Sequence, residues 1–204
     1  WAMISGSRGA VVGATGAGKS TLIHLLMRFY DPLEGRVTVD GVDLRGLRLK
    51  ELRGLFGLVL QDVFIFSGSL EENILLGRPR DAQRLAAVLE QSQLEALVGR
   101  LPEGLATQVG ERGQKLSAGE RQLVAFARML YGAPEVLLLD EATANIDSET
   151  ELRIQSVIAA VSHRLTTFTV AHRLSTIRDA DEIWVMEQGR IVERGSHEAL
   201  MALE

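Results

Sequence analysis

Nine residues, Gly13 to Thr21, read GATGAGKST, and their types at that spacing suit the holding of phosphate. Gly13, Gly18, Lys19 and Ser20 fit the pattern G-x-x-x-x-G-K-[ST], which joins a strand to a helix around a phosphate group. Glycines let successive backbone N–H groups turn inward as a concave nest, and a helix starting near Gly18 points the positive end of its dipole at the same place. Gly13, Ala14, Thr15, Gly16, Ala17 and Gly18 are therefore candidate phosphate contacts, continued into the helix by Lys19, Ser20 and Thr21. Lys19 neutralises the terminal phosphates. Far downstream, the apolar run Val136 to Leu139 ends in Asp140-Glu141. Mg²⁺ takes near-octahedral oxygen ligands and keeps several waters, so one hydroxyl, one carboxylate and the phosphates suffice. Ser20 and Asp140 supply that pair. Glu141, next to the metal ligand at a strand end, suits orienting or deprotonating a water that attacks a γ-phosphate. Read without the loop upstream, Asp140 is a helix cap and Glu141 a solvated acid.

A second anion-binding feature stands far from the first. Ser117 precedes a strong helix, so its hydroxyl and the next backbone N–H groups form an anion site at a positive helix end. Read locally, Ser117 with Glu120 is a capping box, and Gly119 allows close approach. Gln61 stands at the carboxyl end of an apolar strand, where its amide oxygen can sense Mg²⁺ or the attacking water. His172 follows another apolar strand and can donate a hydrogen bond to a γ-phosphate and to the loop carrying Asp147. Asp147 by itself reads as a helix cap, and His172 as a packed or solvated histidine.

Leu116 to Gln122, LSAGERQ, resembles the signature motif of ABC-type ATPases (family consensus LSGGQ). In the same resemblance Gly13 to Thr21 is Walker A, Val136 to Glu141 is Walker B, and Ala144-Asn145-Ile146-Asp147 is the D-loop. Gln61 matches the Q-loop glutamine and His172, in VAHRLST, the switch histidine. QDVFIFSGSLEENI and VGERGQKLSAGERQ are similar to nucleotide-binding domains of exporters that carry their membrane helices on the same polypeptide. The resemblance implies ATP and Mg²⁺ as ligands and ATP hydrolysis as the activity. It implies Lys19, Gln61, Glu141 and His172 as catalytic residues and Ser20, Gln61 and Asp140 around the metal. It also implies that Ser117, Gly119, Glu120 and Asp147 meet ATP held by a partner's Walker A, so that two such domains share two nucleotides. The remaining implied partner is a transmembrane domain, which places this segment at the cytoplasmic face of a membrane.

These residues need elements to position them. Ala10 to Val12 reads as a strand ending at the loop, and Leu22, Leu25, Leu26 and Phe29 fall on one helical face that Asp31-Pro32 closes. Arg36 to Asp40 alternates before the turn Asp40-Gly41. Leu47 to Leu55 is a short helix and Phe56 to Leu60 a buried strand. From about Ser69 to Tyr131 the pattern is helical, with Leu85, Val88 and Leu89 on one face and Leu123, Phe126, Ala127 and Leu130 on another. Ser148 and Glu151 read as a capping box for a helix burying Ile154, Val157, Ile158 and Val161. Strands follow at Thr166 to Ala171, Glu182 to Met186 and Ile191 to Glu193. The expected fold is an α/β P-loop core with a mainly parallel sheet, a small antiparallel β part and an inserted α-helical subdomain at about 69–131.

Composition narrows the partners. A net charge of −5 gives no electrostatic footprint for nucleic acid. No apolar run approaches the ~20 residues that span a bilayer, so no direct membrane insertion of this segment is expected. The chain has no cysteine, hence no disulfide framework or thiolate metal site. His24, His163 and His197 match no motif. Only twelve residues precede Gly13, fewer than in the family, where an aromatic in this part stacks on adenine. Trp1 stands too close to serve. The chain is expected to be a piece of a larger transporter.

Overall fold

The computed structural model describes residues 3, 5–60, 62–140, 148–171 and 174–202. In chain order they form β1 (Arg8–Val12), α1 (Lys19–Leu26), β2 (Thr38–Val39), β3 (Val42–Asp43), α2 (Leu49–Leu55), β4 (Phe56–Val59), α3 (Leu70–Leu75), α4 (Ala82–Gln91), α5 (Glu95–Arg100), α6 (Ala118–Gly132), β5 (Val136–Asp140), α7 (Ser148–Ser162), β6 (Thr166–Val170), α8 (Leu174–Arg178), β7 (Glu182–Glu187), β8 (Arg190–Gly195) and α9 (His197–Met201). Two units result, Trp1–Leu58 with Pro134–Ala142 and Arg164–Glu204, and Val59–Ala133 with Thr143–His163.

The first unit is built on a sheet in the order β4-β5-β6-β1-β7-β8. β1 lies between β6 and β7 and runs parallel to both, β5 is parallel to β6, and β8 returns antiparallel to β7. Leu137, Leu138 and Leu139 are all buried, which explains why β5 shows no alternation: a parallel strand is covered on both faces. Val11 and Ala10 point to opposite faces. Val11 joins Leu138, Phe168, Trp184 and Met186 beneath α1, and Ala10 joins Ile183 and Ala171 with Ile177 of α8 and Leu200 of α9 packed on them.

The α1 face differs from the sequence expectation. The buried residues are Ile23 and Met27, in line with Lys19 at four-residue spacing, whereas Leu22, Leu25 and Leu26 are half-buried and Phe29 is exposed. The helix stops at Leu26 because Arg28 turns left-handed at φ 50°. The guanidinium of Arg28 then donates to the carbonyls of Leu44 and Leu47 and pairs with Asp31, which holds the turn. Phe29 is thereby carried off the helical stripe.

The strand expected at Arg36 to Asp40 shortens to β2, paired antiparallel with β3. Asp40 and Gly41 both take positive φ (49° and 80°), as a two-residue type I′ turn requires. Behind the hairpin, Arg45 donates to Asp43 at 2.7 Å from its side chain and 2.9 Å from its backbone N–H. Those contacts, the side chain's first, hold the Asp43 carboxyl at about 2. A folded-state value below the unfolded one contributes stability that is present above the unfolded value near ~3.9 and disappears as pH falls from there towards about 2. Asp43→Asn should flatten the pH–stability curve within that acid window, measured as melting temperature against pH. An unaltered slope would take this pair out of the acid response.

In the second unit α6 is buried almost all round, with Leu123, Val124, Phe126, Ala127, Met129 and Tyr131 inside, so its core contribution is wider than the single face read from spacing, and Leu130 is only half-buried. α3, α4 and α7 pack against it. Ile154, Val157 and Val161 of α7 are buried as expected and Ile158 half-buried. α7 is described from Ser148 onward, and the side chain of Ser148, with the capping box expected between it and Glu151, lies outside the described residues.

Candidate functional site

The loop after β1 is braced by the β7–β8 hairpin. Gly13 adopts φ 151° with its α-carbon so close to β7 that a Cβ there would stand 2.2 Å from the carbonyl oxygen of Met186. From the turn of the hairpin, the Gly189 N–H donates to the carbonyl of Ala17 at 2.9 Å, and the Ala17 N–H donates to that of Ala14 at 3.1 Å. Gly13, Ala14, Thr15 and Gly16 remain exposed. Gly18 is the N-cap of α1 in the left-handed region (φ 99°) and offers no side-chain acceptor, and the first turn carries no acid. A helix start without its own cap is chemically suited to a bound anion.

Lys19 is only 6% exposed. Its Nζ donates to the carbonyls of Gly13 (2.7 Å) and Ala14 (3.0 Å), so the buried ammonium is solvated by the loop itself. An ammonium has three donors, and two are engaged among the described residues. Burial of the stem on the α1 core stripe fixes where the charge emerges.

Ser20 and Asp140 come together across 120 positions of sequence: the Ser20 hydroxyl donates to Asp140 Oδ2 at 3.3 Å. The strand order explains the meeting. β5 lies two strands from β1 in a parallel sheet, so its carboxyl end opens on the same edge as the loop after β1. Two oxygens bound to one Mg²⁺ at right angles with ~2.1 Å bonds stand roughly 3 Å apart, so the observed pair fits that ion. No acid or histidine is needed beyond what a phosphate-bound Mg²⁺ uses.

The start of α6 forms the second constellation. Ser117 is exposed and caps the helix: its Oγ accepts from the Glu120 N–H at 3.2 Å, and Glu120 Oε2 accepts from the Ser117 N–H at 2.8 Å. The N–H groups of Ala118 and Gly119 have no acceptor among the described residues, which leaves two donors at a positive helix end. Glu120 also pairs with Arg100 at the end of α5. Arg121 donates to the Leu116 carbonyl at 2.7 Å.

Gln61, Glu141, Asp147 and His172, and the aromatic Trp1, lie outside the described residues. Just after Gln61, the backbone at 64–66 is clamped by two residues the sequence reading passed over. Asn73, 1% exposed, exchanges hydrogen bonds with Phe66 (2.8 and 3.0 Å), and Arg128 donates to the Phe64 and Asn73 carbonyls. Burial above all, then the charge of Arg78, lowers the Arg128 pKa. An asparagine four residues after Ser69 is the cue the sequence carries for Asn73; nothing local marks Arg100 or Arg128.

A family model described as ABC transporter matches residues 1–144. The chain belongs to the ABC transporter family. It is 50% identical over 196 residues to the "Probable multidrug resistance ABC transporter ATP-binding/permease protein YheH" of Bacillus subtilis (strain 168), covering 96% of this chain and 29% of that protein. It is 47% identical over 194 residues to the "ATM1-type heavy metal exporter" of Novosphingobium aromaticivorans, covering 95% of this chain and 32% of the exporter. Among solved structures, "Structure of a bacterial Atm1-family ABC exporter with ATP bound" superposes with a TM-score of 0.89 at 46% identity, covering 98% of this chain and 35% of that one. The ABC domain described here thus spans about a third of the length of these relatives. Its fold is that of a P-loop ATPase with a mainly parallel sheet.

Proposed function

We propose that this ABC domain binds ATP with Mg²⁺ in the loop Gly13 to Thr21, hydrolyses it, and so powers a membrane exporter of which it is the cytoplasmic part. The observation that carries the reading is the meeting of the Ser20 hydroxyl and the Asp140 carboxylate beside a loop whose lysine is held at its mouth. Ser20, Asp140 and Gln61 would hold the Mg²⁺, which when bound would neutralise charge on the phosphates. Backbone N–H groups from Gly13 to Thr21 hold phosphate oxygens, and Lys19 exchanges loop carbonyls for the terminal phosphates. Glu141 takes the proton of the attacking water as the new P–O bond forms and the bond to the ADP oxygen breaks. His172 donates a hydrogen bond to the γ-phosphate.

Ser117, Gly119 and Asp147 serve a nucleotide held by a second domain of the same kind, and Glu120 stands beside them as the partner of the Ser117 cap. The exposure of Ser117 and the two N–H groups without an acceptor beside it support that role. No described helix is long and apolar enough to cross a membrane, and the relatives are ATP-binding/permease proteins about three times as long, so the permease part is a separate region that this domain drives. Phosphate release measured against Mg²⁺ concentration tests the metal assignment. Ser20→Ala and Asp140→Asn should each raise the half-saturating Mg²⁺ by about tenfold, the worth of one hydrogen bond to charge or more. Wild-type Mg²⁺ dependence in both variants would remove them from the site.

A further inference from the structure

Glu120 places a formal negative charge within the first turn of the helix that is to receive a phosphate, at the position where the family consensus has a neutral glutamine. An acid at a helix start is favourable for the helix, but it repels an incoming anion at the same spot. The chain carries a remedy. Arg100, the last residue of α5, forms an ion pair with Glu120 Oε1, while Glu120 Oε2 accepts from the Ser117 N–H at 2.8 Å. The carboxylate is thereby turned onto its own cap and its charge offset, and the donors of Ala118 and Gly119 stay free. Arg100 is 63% exposed and Glu120 18%, so the pair contributes little to stability.

We propose that Arg100 is a positioning residue of the shared ATP site: it neutralises and holds Glu120 so that the start of α6 accepts the γ-phosphate of ATP bound by a second domain. The inference rests on the shared-site reading given above and goes beyond it by naming a residue that touches no nucleotide.

The test uses this chain carrying Glu141→Gln, which is expected to retain ATP, and follows ATP-dependent dimer formation by sedimentation. Arg100→Ala should raise the ATP concentration for half-dimerisation on the order of tenfold, the size of a charge effect at a helix end. ATP affinity of the monomer and melting temperature should stay as in the parent. Arg100→Lys, which keeps a cation at the end of α5, should dimerise nearly as the parent does. Adding Glu120→Gln to Arg100→Ala should recover most of the loss, because the charge that needed offsetting is gone. A half-dimerisation concentration within twofold of the parent overturns the Arg100 role alone, as does a fall in melting temperature that Glu120→Gln leaves in place. Absence of any ATP-dependent dimer in the Glu141→Gln parent overturns the shared-site reading and the Arg100 role with it.

Discussion

Glu141→Gln is expected to leave ATP bound and to lower phosphate release by about 10²–10⁴, the range for loss of a general base. Glutamine matches glutamate in size and can still hydrogen-bond a water, but its amide oxygen is too weak a base to take the proton as the water attacks. Binding rests on other groups. The loop Gly13 to Thr21 provides the backbone donors, Lys19 is held in place by two loop carbonyls, and the Ser20–Asp140 pair suits the metal. Affinity and turnover should therefore separate in this variant, with ATP retention followed by equilibrium binding and turnover by phosphate release in the polypeptide that includes the permease part. Hydrolysis at the wild-type rate would take Glu141 out of the base role and leave only the binding assignments standing.

Gly13→Ala is expected to cost about 3 kcal/mol or more and to abolish ATP binding, whereas Gly16→Ala should cost about 1 kcal/mol. Both glycines have positive φ, 151° and 83°, so each substitution carries backbone strain. Their surroundings differ. A Cβ at Gly16 meets nothing within 4 Å, but one at Gly13 falls 2.2 Å from the Met186 carbonyl oxygen. Met186 is a buried residue of β7, paired with Ile191 of β8, so it has no room to withdraw. The loop itself would have to leave the hairpin, breaking the bond from Gly189 to Ala17 and moving the carbonyls that hold Lys19. Denaturant unfolding of the two variants side by side decides the matter. Equal stabilities would mean that the contact with β7 does not constrain the loop.

Much of the site could be read from the chain because its chemistry is local. The loop from Gly13 to Gly18 needs closely spaced glycines and a helix start, and the Ser117–Glu120 box needs only a three-residue spacing; Gly13, Gly16 and Gly18 take positive φ and the capping box forms. The unbroken apolar run of β5 marked a strand covered on both faces and located Asp140 at its end. Spacing was less informative on α1, where two stripes of apolar residues competed. The left-handed turn at Arg28 ended the helix before Phe29, and packing on the sheet selected Ile23 and Met27, the stripe that also buries the stem of Lys19. On α6 no single stripe exists because neighbours cover it from several sides.

The parts legible along the chain are those whose geometry is set within one or two turns of backbone: the glycine-rich loop before α1, the Ser117 cap of α6 and the hairpin turn at Asp40-Gly41. The motifs already join Ser20 with Asp140, but how the parts come together is set by packing. Strand order brought Asp140 to Ser20, the β7–β8 hairpin came to brace Gly13, and α5 delivered Arg100 to Glu120. Such contacts join residues whose separation along the chain carries no periodic signal, and they arise because burying the apolar faces of strands and helices leaves few ways to stack them.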